Sequence, residues 1–392
     1  MTLAGPVPFD DASRRARLVR RHRLAPPFRA ETPEEIAASL VAIHSTDPAT
    51  VFLSVGARLR GNDPVPDLER ALYADRTLIR MHGMRRTIFV FPGHLAAVVH
   101  ASTTASNAMK LRAELARDMQ AFNPEWDVAW LDALEAKVIS YLQESGPAAG
   151  TAISTAIPEL RQSLVYNAGR REVKQGLASR VLRSLGNENR IVRGKPAGSW
   201  ISGQYRWSVA EPHPEIDPAG AKCELIRHWL AAYGPGSLED MKWWTGWSLR
   251  DVRTALAQLD TVEVTLETGP GYVLRGDDTP DEPVPPAIAL LPALDSTSMG
   301  YRQRDWYLSP DHVPALFDYS GNIGPTIWWG GRIVGGWAQR KDGEIVTEFL
   351  EAVPPEAHEQ LAVEISRMRE WLGPVRITPR FPTPIDKRLV AT

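Results

Sequence analysis

A single cysteine, Cys223, in 392 residues excludes an internal disulfide framework and the small secreted scaffolds that depend on one. Cys223 falls on the apolar side of a predicted helix and reads as a core thiol, not a nucleophile. Long apolar runs are missing too. No stretch approaches the roughly 20 residues of a membrane span, and the N-terminus lacks a signal-peptide apolar segment. The expected compartment is the cytoplasm. Familiar catalytic signatures are absent: there is no GxxxxGK[ST] phosphate loop, HExxH, paired CxxC, GxSxG elbow or GxGxxG. Nine histidines are scattered without metal-ligand spacing. Neither a metal nor a cofactor is expected.

The bulk composition is ordinary, with 43% apolar and 23% charged residues, as in a soluble chain of two or three domains. The pattern is more specific. A module of three helices and a β-hairpin recurs three times. The third copy, from about Ala219 to Leu274, is the clearest. Leu225, Ile226, Trp229 and Leu230 stripe its first helix, and Gly234-Pro235-Gly236 stops it. Ser237 with Asp240, and Ser248 with Asp251, read as N-cap pairs. Val252, Ala255, Leu256 and Leu259 share a face of the last helix; Val262, Val264 and Leu266 alternate as a strand, and Gly269-Pro270-Gly271 turns it back.

The second copy runs from about Trp130 to Trp207, striped by Leu131, Leu134, Val138 and Leu142, then by Leu177, Val181, Leu182 and Leu185. A short helix from Thr151 to Leu160 lies between them, and Ile191 to Arg193 and Tyr205 to Trp207 supply the hairpin. The first copy opens at Thr32-Pro33-Glu34-Glu35, a capping Thr with Pro at the first helical position. Ile36, Leu40 and Ile43, then Val51, Phe52, Val55 and Leu59, then Leu68 and Leu72 mark its helices; Thr77 to Arg80 and Thr87 to Phe91 make its hairpin. Helix, helix, helix, hairpin is the outline of a winged helix, a common nucleic-acid-binding module.

Net charge is −2, which by itself argues against nucleic acid, but its distribution does not. From Arg161 to Arg206 ten basic residues face two acidic ones; from Trp207 to Gly300 six basic face fifteen acidic. The basic second module offers Arg171, Lys174, Arg180, Arg193, Lys195 and Arg206 as candidate DNA contacts, interleaved with Trp200, Tyr205 and Trp207. A solvated basic face is the alternative. Arg14, Arg15, Arg17, Arg20, Arg21 and Arg23 make the N-terminal stretch basic as well.

The expected fold class is mainly α with β-hairpin wings (α+β), three tandem winged-helix modules plus a small C-terminal strand-rich α/β domain. The expected division is 1–30 basic helix, 31–125 first module, 126–212 second, 213–276 third, 277–286 linker, 287–392 C-terminal unit. The acidic, proline-rich stretch from Asp277 gives the linker. Ala287 to Leu291, Ile333 to Trp337 and Glu344 to Leu350 read as strands, Lys341-Asp342-Gly343 as a turn, and Pro355 to Trp371 as a helix.

One polar cluster stands out, His44-Ser45-Thr46-Asp47-Pro48, between the first two helices of the first module. Asp47 before Pro48 is a helix N-cap signal. In an extended connection His44 and Thr46 project to one side, beside a helix N-terminus that favours anionic groups or an ordered water. On that reading His44 takes a proton from the water or holds it by a hydrogen bond; the structural alternative is that Asp47 caps the helix, Thr46 supports the cap and His44 ends the preceding helix.

Here the chain resembles a bacterial family of winged-helix DNA glycosylases, the AlkZ-like and YcaQ-like proteins. The resemblance covers nearly the whole chain and rests on Leu40 to Pro48, Met84 to Pro92, Leu290 to Asp295, Gly300 to Arg304 and Gly331 to Trp337, in that order. It implies a C-shaped molecule closing around double-stranded DNA that carries alkylated purines, acting as a monomer, without a cofactor, in the cytoplasm at the nucleoid. The implied activity is monofunctional: hydrolysis of the N-glycosidic bond of cationic N-alkylpurines of the N7-alkylguanine type, bulky adducts and interstrand crosslinks included. The family's catalytic pair, usually Gln-x-Gln or Gln-x-Asp, falls on His44 and Thr46, with Asp47 available as negative charge. The chain departs from the family there, at Arg86, where glycine is usual, and at Phe89, where histidine is usual. Arg85 and Arg86 are candidate DNA contacts; a salt-bridged role for Arg86 stays open. Two other readings remain: a non-catalytic DNA-binding regulator or damage sensor, and a drug-sequestering protein that stacks a planar ligand on Trp243, Trp244 and Trp247.

Overall fold

The computed structural model describes residues 6–61, 63–168 and 171–391, the backbone alone for 166–168 and 171–173. Asp10 caps helix α1 (Asp11–Arg21), its carboxylate accepting the Ser13 N–H at 2.7 Å. Thr32 caps α2 (Pro33–Leu40) in the same way. Strand β1 (Ile43–His44), helices α3 (Pro48–Gly56) and α4 (Val65–Glu69), and strands β2 (Leu78–His82) and β3 (Ile88–Pro92) complete the first unit. Its antiparallel sheet has the order β1-β3-β2, with His44 opposite Phe89. Helices α5 (Ala96–Val99) and α6 (Ala105–Phe122) lead away from it.

The second unit is α7 (Val128–Ser145), β4 (Ala148–Ala149), α8 (Gly150–Ala156), β5 (Ser163–Ala168), β6 (Arg171–Gly176), α9 (Leu177–Asn187), β7 (Ile191–Pro196) and β8 (Tyr205–Val209). Its sheet has the order β4-β8-β7, and β5 pairs with β6 as a separate hairpin between α8 and α9. Sequence reading gave that hairpin no strands, because its alternation is short and its residues were read by charge. The third unit is α10 (Pro218–Tyr233), α11 (Leu238–Thr245), α12 (Leu249–Leu256), β9 (Thr261–Leu266) and β10 (Gly269–Leu274). A single bridge from Gly236 to Tyr272 stands where the other units have a short strand. The expected caps form here: Ser237 and Asp240 make a capping box, and Ser248 accepts the Asp251 N–H.

The acidic stretch read as a linker lies along α1. Arg17 pairs with Asp281 and Asp277, and Arg21 with Asp277. Arg14 is buried against the Trp306 ring, 4.1 Å away. Much of the N-terminal basic charge is therefore taken up internally. The C-terminal unit contains β11 (Ile288–Leu291), α13 (Val313–Leu316), β12 (Thr326–Trp329), β13 (Arg332–Gln339), β14 (Ile345–Phe349), α14 (Pro355–Leu372) and α15 (Pro384–Ala391). Its four strands pair antiparallel in chain order.

The cores do not follow the units one to one. Met81, Phe89 and Phe91 of the first pack with Leu225, Trp229 and Tyr233 of the third and Leu291, Tyr301 and Trp328 of the C-terminal unit. Ile36, Leu40 and Phe52 pack with Ile288, Trp337 and Leu361. Each such side chain, fully buried, stabilises by about 1.5–3 kcal/mol. The second unit has its own core, closed by Leu115 and Met119 of α6.

Candidate active site

The polar cluster sits on a short strand held from several directions. Before it, Ala42 donates to the Leu40 carbonyl at 2.6 Å around Val41, at φ 61° and ψ −43°. That is a γ-turn, a strained conformation for a β-branched residue. Ser296 Oγ accepts the His44 N–H at 3.1 Å and donates to the Ala42 carbonyl at 2.7 Å. On the other edge Ser45 donates its N–H to Ile88 O at 2.9 Å. Next to Ser296, Asp295 forms a fully buried pair with Arg58, 2.7 Å apart, and also accepts from Ser54 Oγ. The strand is thus fixed by both β3 and the C-terminal unit.

His44 is buried, its ring edge-on to Phe89 at 5.2 Å between centroids. Nδ1 accepts the Thr46 N–H at 3.5 Å, and Nε2 has no hydrogen-bond partner among the described residues. With Nδ1 as acceptor, the neutral ring carries its proton on Nε2. Burial first, and the Arg85 cation second, push its pKa down to about 3. At neutral pH this side chain is an uncharged donor and a weak base.

Thr46 is half-buried, and its carbonyl accepts from Arg380 Nη1 at 3.1 Å. Asp47 is the N-cap of α3. One carboxylate oxygen takes the Ala49 N–H at 3.1 Å and the other the Arg380 N–H at 3.0 Å. Arg380 was not legible as a site residue, since it lies 333 positions along the chain from Asp47 and carries no motif of its own. Ser296 was equally hidden, although its neighbour Asp295 belongs to one of the stretches that carry the resemblance.

Thr46 and Pro48 open onto a cleft of about 710 Å³ between the first and second units. Arg183, Arg193, Arg380, Tyr205 and Trp207 line it, and among the described residues no carboxylate does. The buried Tyr205 hydroxyl has no hydrogen-bond partner among the described residues. His44 does not line this cleft. On its other flank Arg85 lies 4.1 Å above the Trp243 ring, which Arg304 also approaches, at 4.9 Å. Arg85 and Arg86 both adopt positive φ, 53° and 60°, the conformation that makes glycine the usual choice there. Arg86 is exposed and pairs with Glu114 at 3.3 Å. Trp244 is buried and the Trp247 Nε1–H donates to Thr103 Oγ1 at 3.1 Å, so these tryptophans serve packing.

The basic residues of the second unit divide. Arg193 stacks on Tyr205 and Trp207 at 5.4 and 5.1 Å. Lys195, exposed, pairs with Glu69 at 2.8 Å, and Arg206 is exposed on β8. Lys174 is exposed on β6; Arg171 opens the same strand, but its side chain lies outside the described residues. Arg180 is buried and tied to Asp118 at 2.7 Å, linking α9 to α6.

Comparison with known proteins places this chain in a family. Residues 37–371 match the family model described as DNA glycosylase AlkZ-like. A protein of Streptomyces sahachiroi named interstrand DNA cross-link repair glycosylase is 29% identical over 164 residues. That match covers 39% of this chain and 44%, less than half, of the relative. The solved structure of Streptomyces sahachiroi DNA glycosylase AlkZ superposes with a TM-score of 0.66 at 19% identity, over 94% of this chain and 98% of that one, and so shares the fold.

Proposed function

The chain belongs to the AlkZ-like family of DNA glycosylases, and on that premise we propose that it hydrolyses the N-glycosidic bond of cationic N-alkylpurines, N7-alkylguanine foremost, in double-stranded DNA. The three helical units are read as tandem winged helices that, with the C-terminal unit, clasp the duplex as a C-shaped monomer. Bulky adducts and interstrand crosslinks fall within the proposed substrate range, in keeping with the name of the Streptomyces relative.

The observation that carries this reading is the rigid strand-to-helix junction that bears His44 and Thr46, with Thr46 opening onto a cleft lined by arginines and, among the described residues, by no carboxylate. An N7-alkylated guanine already bears positive charge, so bond cleavage releases a neutral base without protonation of the leaving group. What remains is to place a water against the sugar cation. His44 Nε2–H donates a hydrogen bond to that water, and the Thr46 hydroxyl holds its second side. Once the C–O bond forms, the water is strongly acidic and its proton passes to solvent, so His44 need only orient the water and no side-chain base is required. Arg183, Arg193 and Arg380 meet backbone phosphates. Asp47 contributes through the N-cap that orients Thr46.

Release of 7-methylguanine from a methylated duplex, measured against spontaneous depurination, tests the reading. Release above the control is expected. Duplex binding without release, on this lesion and on a bulkier N7 adduct, would favour a DNA-binding protein without hydrolytic activity, the second reading to which the His44/Thr46 departure from the family pair points.

A further inference from the structure

We propose that a second cavity, between the β2 edge of the first sheet and the β7–β8 wing, is a binding site for one phosphate-class oxyanion. The cavity is about 300 Å³ and adjoins the cleft at Thr46, with Arg193 lining both. Arg76, Arg80, Arg193, Lys195 and Arg206 line it, and among the described residues no Asp or Glu does. Two of these cations have carboxylate partners, Lys195 with Glu69 at 2.8 Å and Arg76 with Glu211 at 3.8 Å. Both pairs are largely exposed at the rim, where ion pairs hold little.

Arg80 is the central group. It is 4% exposed, yet its partners are neutral: Nε donates to Ser45 Oγ and Nη1 to Tyr73 OH, each at 2.9 Å, and the guanidinium lies 4.8 Å from the Tyr205 ring. Nη2 is buried without a hydrogen-bond partner among the described residues. Arg193 reaches the same Tyr205 ring, and burial together with Arg80, Arg380 and Arg183 pushes its pKa down to about 10. A buried cation without a counter-ion is costly, and a guanidinium fork matches the oxygens of a phosphate. An oxyanion in this cavity neutralises Arg80 and Arg193 together. Because Arg80 Nε holds Ser45 between His44 and Thr46, the occupied cavity also stiffens the catalytic segment.

The oxyanion is either free phosphate or a backbone phosphate of the duplex, and two measurements separate them. Calorimetric titration with inorganic phosphate, at ionic strength held constant with chloride, is expected to give one site, weakened at least tenfold in Arg80→Gln. Salt titration of duplex affinity is expected to lose about one unit of slope in the same variant if DNA supplies the phosphate. Phosphate binding with an unchanged slope assigns the site to the free anion; a reduced slope without phosphate binding assigns it to DNA. Neither effect, in a variant whose melting curve shows a folded protein, overturns the proposal. Should Arg80→Gln fail to fold, Arg206→Gln, at an exposed residue that lines this cavity and not the cleft at Thr46, carries the same expectations. Neither readout measures base release, so this site stands or falls apart from the glycosylase reading.

Discussion

His44 departs most from the family's usual residues, and its surroundings say what such a departure preserves. The buried, neutral imidazole keeps an N–H donor on Nε2. A glutamine amide supplies the same donor, so His44→Gln is expected to release base within about tenfold of wild type. His44→Ala, which removes the donor, is expected to lose about a hundredfold or more. Single-turnover rates on one methylated duplex check both; equal rates for wild type and His44→Ala would remove His44 from the reaction. The identity of the polar segment was legible in sequence because its residues are contiguous. Its supports, Ser296 and Arg380, were not, because they arrive from 252 and 333 residues along the chain respectively.

Caps and stripes made most helices readable at the scale of the element. Thr32, Ser237 and Ser248 cap where local sequence placed them. Asp47 caps α3 with one oxygen and holds the Arg380 N–H with the other. Asn retains the first of these bonds, so Asp47→Asn is expected to lie within about 0.5 kcal/mol of wild type, whereas Asp47→Ala loses about 1–2 kcal/mol. Urea denaturation measures both. Base release in Asp47→Asn should stay within a few-fold; a loss of a hundredfold would put the carboxylate charge into the reaction. The β5–β6 hairpin is not legible because basic residues interrupt its alternation, and pattern alone does not separate such a segment from a basic loop.

At the scale of the whole molecule, local pattern marks helices and strands but not the cores they share. Apolar stripes show which face of a helix is buried, never against which distant partner. The Arg58–Asp295 pair, fully buried, joins the segment just after α3 to the segment that follows β11. Asp295→Asn leaves a buried cation partly unpaired and is expected to cost about 3–5 kcal/mol in urea denaturation; a loss under about 1 kcal/mol would contradict that role. Acid stability follows from three buried histidines, His22, His44 and His82, each pushed down to about 3 by burial first. The unfolded chain binds their protons below about pH 6.5 and the native state does not. Stability should therefore fall as pH drops through 6.5 toward 3. Asp386, raised to about 6 by burial, offsets part of the loss below that pH by taking up a proton in the native state. A net loss on the order of a few kcal/mol between pH 7 and 5 is expected, and a flat profile of urea midpoints would show that the buried histidines titrate normally.

The most direct test of the central claim is single-turnover release of 7-methylguanine at saturating enzyme, run for wild type and His44→Ala with duplex affinity measured on the same preparations. The expected result is release by wild type well above spontaneous depurination, with His44→Ala slower by about a hundredfold at unchanged affinity. Wild-type release no faster than the control, with the duplex bound, would contradict it.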